Sequence, residues 1–138
     1  MSTSNPASTS TRSIRVSAAV ILNDRDELLL VRKAGTTAFM QPGGKPEPGE
    51  TPAQTLSREL FEELGLAVEA DSLRSLGLFT AAAANEPGFL VEADVFVADI
   101  GDQVPQIAAE IEELRWVSRA GAGELEVAPL ARENFLPG

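Results

Sequence analysis

The chain has 138 residues, of which 43% are hydrophobic and 23% are charged. These are values of a globular domain, and they exclude a disordered, collagen-like or fibrous protein. Cysteine and histidine are absent, which excludes disulfides, a Ser-His-Asp triad, a histidine general base and a zinc site built on thiolate or imidazole. Any metal must therefore be bound by oxygen ligands, which favour magnesium, manganese or calcium.

The net charge is −10, from 11 basic and 21 acidic residues. A negative field repels long nucleic acids and anionic membranes, so neither is expected as a partner, although acidity alone also serves solubility. A small phosphorylated ligand stays compatible, because a cation can bridge two sets of negative groups. No apolar segment reaches the roughly 18 residues that span a bilayer. A cytoplasmic protein is expected.

The Ser/Thr-rich residues 1–13 are predicted to form a disordered tail, and residues 14–138 a single domain. Apolar runs at 14–22 and 28–31, separated by turn residues, predict a hairpin at the centre of a sheet. Three prolines and three glycines between residues 39 and 50 predict a shaped loop.

The segment after this loop predicts a helix over 52–64. Thr51 suits the N-cap and forms a capping box with Gln54, Pro52 suits the first helical position, and Gly65 suits the C-terminal cap.

Further strands are predicted at 75–82, 89–98 and 114–117, with a turn at 85–88 and a C-terminal helix that starts near Ala128 and Pro129. Strands on both sides of one central helix indicate a mixed α/β class.

On the wheel of helix 52–64, the apolar side chains form one stripe: Ala53, Leu56, Leu60 and Leu64. Three glutamates, Glu59, Glu62 and Glu63, share a second face, where they repel one another by a few tenths of a kcal/mol per pair (roughly 0.2–0.5). Two of them also lie in the last turn, where the helix dipole disfavours negative charge. A divalent cation would relieve this repulsion; the alternative is a solvated acidic face.

The whole segment has the form Gly44-x5-Glu50-x7-Arg58-Glu59-Leu60-x-Glu62-Glu63-x-Gly65-Leu66. This pattern resembles the signature of the Nudix hydrolases at every position. Two flanking segments are also similar to the family: Phe39-Met40-Gln41-Pro42-Gly43-Gly44 before the helix and Arg115-Trp116-Val117 in a late strand.

The resemblance implies an α/β/α sandwich around a mixed sheet, with a loop-helix-loop catalytic box. It implies a hydrolase that uses Mg²⁺ or Mn²⁺ to cleave the diphosphate linkage of a nucleoside diphosphate derivative. The metal ligands would be Glu59, Glu62, Glu63 and the Gly43 carbonyl, and either Glu59 or Glu62 would be the general base.

The resemblance also assigns supporting residues. Arg58 would orient the carboxylates through an ion pair with Glu50; alternatively it is an ordinary i,i+4 partner of Glu62. Gly44 would allow close approach of the backbone to phosphate. A loop carboxylate would join the site, with Glu110 as the first candidate; Glu112 and Glu113 follow, and surface charge is the alternative for each.

The sequence pattern indicates the substrate less directly than it indicates the metal ligands. Phe39 is a candidate for stacking on the base, with the core as the alternative. Family members that act on ADP-ribose or diadenosine polyphosphates often carry a proline or tyrosine a short way after the box. Here residues 80–84 read Thr-Ala-Ala-Ala-Ala and tyrosine is absent, so the resemblance disfavours both substrates. The leading substrate is a (d)NTP or a modified NTP. The rival functions are a hydrolase of ADP-ribose or sugar nucleotides and a nucleotide-binding module without catalysis. The resemblance also allows a homodimer.

Overall fold

The computed structural model describes residues 12–137, in which three strands, a helix, three further strands and a second helix follow one another along the chain. The strands are β1 (Arg12–Val20), β2 (Leu28–Lys33), β3 (Gly43–Gly44), β4 (Arg74–Ala82), β5 (Phe89–Val97) and β6 (Ile111–Val117). The helices are α1 (Pro52–Leu64) and α2 (Pro129–Asn134), with short 3₁₀ turns at Ala70–Ser72 and Gly121–Glu124. Within residues 12–137, no helix is both long and apolar enough to span a membrane.

Two sheets form the middle of the molecule. The larger sheet has the order β3-β1-β5-β4, in which β1 and β5 are parallel and the other pairs are antiparallel. The second sheet is the antiparallel pair β2-β6. Helix α1 covers one side of these sheets and helix α2 the other, so the predicted α/β/α sandwich around a mixed sheet is confirmed.

The core is divided between the two sides because alternate residues of a strand point to opposite faces. Leu29 and Val31 join the cluster around α1, which we call the α1-side core. Leu28 and Leu30 join the cluster around α2, the α2-side core. All four side chains are at most 1% exposed. Burial on both faces explains why β2 is a continuous apolar run.

The predicted central hairpin is wrong for most of its length. The two strands meet only at the turn, where Leu22 and Leu28 form an isolated bridge. Beyond that bridge β1 pairs with β3 and β5, whereas β2 pairs with β6. An apolar run identifies a strand that is buried on both faces, but it does not identify the neighbour of that strand.

The other elements lie close to their predicted positions. Strands β4 and β5 each agree within one residue, β6 starts at Ile111 rather than Leu114, and α2 starts at Pro129. Strand β1 begins at Arg12, so residues 12 and 13 of the predicted tail belong to it. The rest of that prediction, residues 1–11, lies outside the described residues.

Helix α1 is fixed at both ends, as predicted. Thr51 Oγ1 accepts from the Gln54 amide at 3.2 Å, and Gln54 Oε1 accepts from the Thr51 amide at 3.0 Å. At the other end Gly65 is left-handed, with φ 67°, and its amide donates to Phe61 O at 2.9 Å. Of the apolar stripe, Leu56, Leu60 and Leu64 are fully buried in the α1-side core, and Ala53 packs against it partly buried. The glutamate face of α1 is therefore held in a defined position.

Candidate active site

The loop before α1 approaches the core because two of its residues have no side chain. Gly43 has φ 150°, and a Cβ atom there would overlap the Ser17 carbonyl of β1. A Cβ atom on Gly44 would overlap the Glu59 carboxylate of α1. The backbone of β3 therefore packs directly between β1 and the glutamate face, an approach that only glycine permits.

Glu63 is the buried carboxylate of this site. Glu63 is 3% exposed, and its Oε1 accepts a hydrogen bond from the Gly43 amide at 3.2 Å. Burial, followed by the nearby charge of Glu59, raises the pKa of Glu63 to about 7. A carboxylate in this position is therefore stabilised by any cation that reaches it.

Glu59 and Glu62 both contact Arg58. Arg58 Nη1 lies 3.2 Å from Glu59 Oε2 and 3.1 Å from Glu62 Oε1. The Glu59 side chain is 17% exposed, whereas that of Glu62 is 51% exposed. Burial raises the pKa of Glu59, although Arg58 opposes this shift. The three glutamates thus have three environments: buried, half-buried and exposed.

Arg58 also binds the preceding loop through Glu50. Arg58 Nε donates to Glu50 Oε2 at 2.6 Å and Nη2 donates to Oε1 at 3.0 Å. Oε1 further accepts from the Thr55 hydroxyl at 3.0 Å and from the Glu47 amide at 2.8 Å. Hydrogen bonding to Arg58, followed by that to the Glu47 amide, lowers the pKa of Glu50 to about 2. Both interpretations of Arg58 therefore describe contacts that are present, and the two-point contact with Glu50 is the less exposed.

A cavity of about 510 Å³ opens beside these carboxylates. Its polar end contains Glu59, Glu63, Gly43 and Gly44, together with three charged residues from other elements: Lys33, Lys45 and Glu110. Its apolar wall comes from β1, β5 and the α2 region, and includes Ile14, Val16, Val91, Leu130 and Ala131. The cavity therefore joins a charged end to an apolar chamber.

Lys33 is a site residue that the sequence reasoning missed. Its Nζ lies 3.8 Å from Glu110 Oε1, and its charge lowers the pKa values of Glu59 and Glu63 against the effect of burial. A signal was available in the sequence. Lys33 follows Val31 by two residues, so alternation places it on the α1 side at the end of β2.

The other predicted residues separate into two groups. Glu110, the first candidate among the loop carboxylates, lines the cavity. Glu112 and Glu113 instead bind Arg32, at 3.0 Å and 3.3 Å.

Phe39 is 5% exposed in the α2-side core, and the guanidinium carbons of Arg32 and Arg115 lie 6.0 Å and 5.8 Å from its ring centre. The structure therefore favours the core alternative for Phe39, because its ring packs in the interior and does not line the cavity.

The donor set fits a hard divalent cation. Glu59 and Glu63 present carboxylate oxygens at one end of the cavity, and Glu63 is buried without a positively charged contact. Among residues 12–137, no three carboxylates are gathered into a preformed metal-binding group, because Glu62 is turned to Arg58. A cation held by all three glutamates would require Glu62 to change partner.

Comparisons with known proteins agree with this geometry. A family model described as the NUDIX domain matches residues 12–137. A Bacillus subtilis (strain 168) protein named provisionally as an 8-oxo-dGTP diphosphatase is 29% identical over 100 residues, which are 72% of this chain and 62% of that protein. An RNA pyrophosphohydrolase of Yersinia enterocolitica is 49% identical over 47 residues, which are 34% of this chain and 27% of that protein.

Among solved structures, the E. coli ORF135 protein is similar with a TM-score of 0.62 and 28% identity, over 91% of this chain and 87% of that one. The chain thus spans less than two thirds of the length of the two curated relatives, but most of the length of this structural neighbour.

The buried Glu63 predicts that the metal-free protein loses stability as the pH rises. Its pKa is raised from the ordinary 4.5 to about 7 in the folded state. The folded protein therefore holds a proton that the unfolded chain has already released, and stability declines between these two values. The loss is on the order of 3 kcal/mol. Urea unfolding between pH 5 and 8, with EDTA present, measures it, and the absence of histidine removes the usual titrating groups of this range.

Glu63→Gln should flatten this pH dependence, whereas Glu69→Gln, at an exposed residue, should preserve it. An unchanged slope in Glu63→Gln would show that another group is responsible.

The glycine packing predicts a second difference in stability. Gly43→Ala should destabilise the protein by about 2–4 kcal/mol, because the added methyl group meets backbone atoms of β1 and φ is positive. Gly123→Ala is the matched control, since its Cβ would meet nothing within 4 Å. Chemical unfolding of both variants compares them, and equal midpoints would contradict the close approach of β3 to β1.

Proposed function

Since the chain belongs to the NUDIX family, we propose that it is a pyrophosphohydrolase acting on a small nucleoside diphosphate derivative. Water attacks phosphorus and the diphosphate linkage is cleaved, and the substrate is a (d)NTP or a modified NTP. One observation supports this most directly: the carboxylates of α1 and the glycines of β3 share a cavity with an apolar chamber. A volume of about 510 Å³ is in the range of small-molecule sites.

The proposed cofactor is Mg²⁺ or Mn²⁺, held by Glu59, Glu63 and the Gly43 carbonyl, with Glu62 as a further ligand or as the base. When bound, such an ion neutralises phosphate oxygens, polarises phosphorus and makes a coordinated water more acidic. The hard oxygen donors support this choice, as does the burial of Glu63.

The general base is proposed to be Glu59 or Glu62. Both carboxylates contact the same Arg58 nitrogen, which limits their movement. Glu59 is closer to the substrate cavity, whereas Glu62 is more exposed to the water from which the nucleophile comes. Arg58 acts here as a positioning residue, and Glu50 acts through Arg58.

Positive charge at the cavity supports an anionic substrate. The chain has two lysines, Lys33 and Lys45, and both line this cavity although the net charge is −10. We propose that they bind phosphate oxygens while the apolar wall holds the base. Glu110 lies beside Lys33 and is proposed to position its ammonium group.

The names of the relatives support a nucleotide substrate without identifying it. One name gives 8-oxo-dGTP and the other gives RNA. The net charge of −10 disfavours a long polyanion, so we favour free nucleoside triphosphates, including oxidised ones. Free nucleotides are cytoplasmic metabolites, which supports a cytoplasmic location for this chain. Pairing of two copies stays a prediction.

The alternative of a binding module without catalysis is less favoured. The contacts among Arg58, Glu59 and Glu62 are intact, and Glu63 is buried beside the Gly43 amide. A module that only binds nucleotides has no need for a carboxylate whose burial costs free energy.

Removal of a single carboxylate should remove most of the activity. Glu59→Gln, Glu62→Gln and Glu63→Gln should each lower kcat by about 10²–10⁴-fold, because they remove a metal ligand or the base. Release of product from nucleoside triphosphates, with Mg²⁺ and with EDTA, measures this loss. Glu112→Gln is the matched control, since this exposed carboxylate binds Arg32 and does not line the cavity. Full activity of both Glu59→Gln and Glu62→Gln would overturn the assignment of the base.

Loss of the lysine charge should weaken the use of substrate. Lys33→Met should lower kcat/KM by about tenfold or more, because one charge-assisted contact with phosphate is lost. Steady-state kinetics at two salt concentrations measures this change. Arg74→Met removes one positive charge from exposed β4 and should change kcat/KM much less. Equal effects of the two substitutions would indicate that only the overall charge matters.

A further inference from the structure

Gln41 is a buried polar residue in the cavity wall that the proposed mechanism does not use. It directly precedes the Pro42-Gly43-Gly44 turn and is 6% exposed. Its Nε2 donates to the Ala19 carbonyl at 3.0 Å. This bond fixes the orientation of the amide, because the reverse orientation would bring two oxygen acceptors together. Within residues 12–137, Gln41 Oε1 has no hydrogen-bond partner.

An amide oxygen that is buried without a donor costs free energy. The hydrogen bond to Ala19 therefore accounts for the amide nitrogen of Gln41, but it does not account for the buried amide oxygen. The Oε1 atom exposes less than 1 Å². Contact between a ligand donor and this oxygen requires side chains of the wall to shift on binding, and the new hydrogen bond would then remove the cost of the unpaired oxygen.

Among residues 12–137, the side-chain donors that line the cavity away from Gln41 and the lysines are few: the amide of Asn85 and the hydroxyls of Ser17 and Thr36. The hydroxyls of Ser17 and Thr36 already donate to the carbonyls of Pro52 and Lys33, both at 2.9 Å. Glu86, in the turn between β4 and β5, offers acceptor oxygens only. A ligand that complements this wall brings its own N–H donors. Among nucleobases, adenine, guanine and cytosine carry an exocyclic amino group, whereas uracil and thymine do not.

We propose that Gln41 is a specificity-determining residue whose Oε1 accepts a hydrogen bond from an amino group of the nucleobase. The protein thereby selects nucleotides whose base carries an exocyclic amine. This proposal rests on the proposed nucleotide hydrolase function and adds the class of base to it. The apolar wall excludes water around the contact, which makes a missing donor more costly.

The test uses substrates that differ by a single amino group. The first pair is dGTP and dITP, which lacks the 2-amino group. The second pair is dATP and the triphosphate of purine deoxyriboside, which lacks the 6-amino group. The wild-type protein should favour the amino-bearing member of at least one pair by about tenfold or more in kcat/KM. Gln41→Met should reduce this ratio to near one by slowing the amino-bearing substrate.

Two controls separate recognition of the base from a structural role. Met40→Leu alters the same wall without removing a polar group, so the ratio within the pair should persist. The bond from Gln41 to Ala19 is also lost in Gln41→Met, but that loss lowers both members of a pair alike and leaves their ratio unchanged. Thermal unfolding of each variant establishes that it is folded at the temperature of the assay.

A binding measurement separates failure of this inference from failure of the hydrolase function. Calorimetry with EDTA compares dGMP with dIMP, and dAMP with the monophosphate of purine deoxyriboside. Discrimination within a pair that Gln41→Met abolishes supports the role of Gln41, even without hydrolysis. Hydrolysis without discrimination in either pair, or discrimination that Gln41→Met retains, overturns the role of Gln41 and leaves the hydrolase intact. Neither hydrolysis nor binding of any nucleotide overturns both proposals.

Discussion

The two-point ion pair between Arg58 and Glu50 is the contact on which the geometry of the site depends. The loop before α1 contains three prolines and three glycines between residues 39 and 50, so beyond the bridges of Phe39 and Met40 at its start it is held by strand pairing only at the short strand β3. Arg58 joins this loop to α1 through both oxygens of Glu50 and through the Lys45 carbonyl. The same guanidinium contacts Glu59 and Glu62. One side chain thereby sets the loop and the carboxylates relative to each other.

The position of the loop also explains why negative charge is buried in the site without close compensation. Because Gly43 and Gly44 pack without side chains, β3 covers Glu63 and part of Glu59. This packing shields the carboxylates from water, and Arg58 contacts Glu59 but not Glu63, on which Lys33 acts only through the longer-range effect of its charge. The tight packing that defines the site therefore leaves a buried acid that a cation stabilises. Rigidity of the loop and affinity for a metal have the same origin in this fold.

The sequence predicts the features that local chemistry determines, such as helix caps, better than the features that tertiary packing determines, such as strand partners. The caps of α1 follow from spacing along one helix, and their prediction is confirmed. The hairpin prediction is wrong because the sequence of a strand buried on both faces does not show which strands it pairs with. Glu62 and Glu63 are adjacent in sequence and on the wheel, yet one is exposed and the other buried. That difference is decided by β3, which packs on one side of the glutamate face only.

The same distinction explains Phe39 and Lys33. Aromatic residues enter cores and binding sites for the same reason, their large apolar surface, so composition cannot separate the two for Phe39.

The mean field of a chain with net charge −10 opposes the approach of any anion, including a nucleoside triphosphate. Locally, Lys33 and Lys45 reverse that sign on the cavity wall, whereas Glu59, Glu63 and Glu110 restore it nearby. Two lysines cannot balance three carboxylates and a polyphosphate. The charges of this cavity therefore favour a nucleotide that arrives with its divalent cation over one that arrives alone, and nucleotide and metal binding are coupled by the composition of the site.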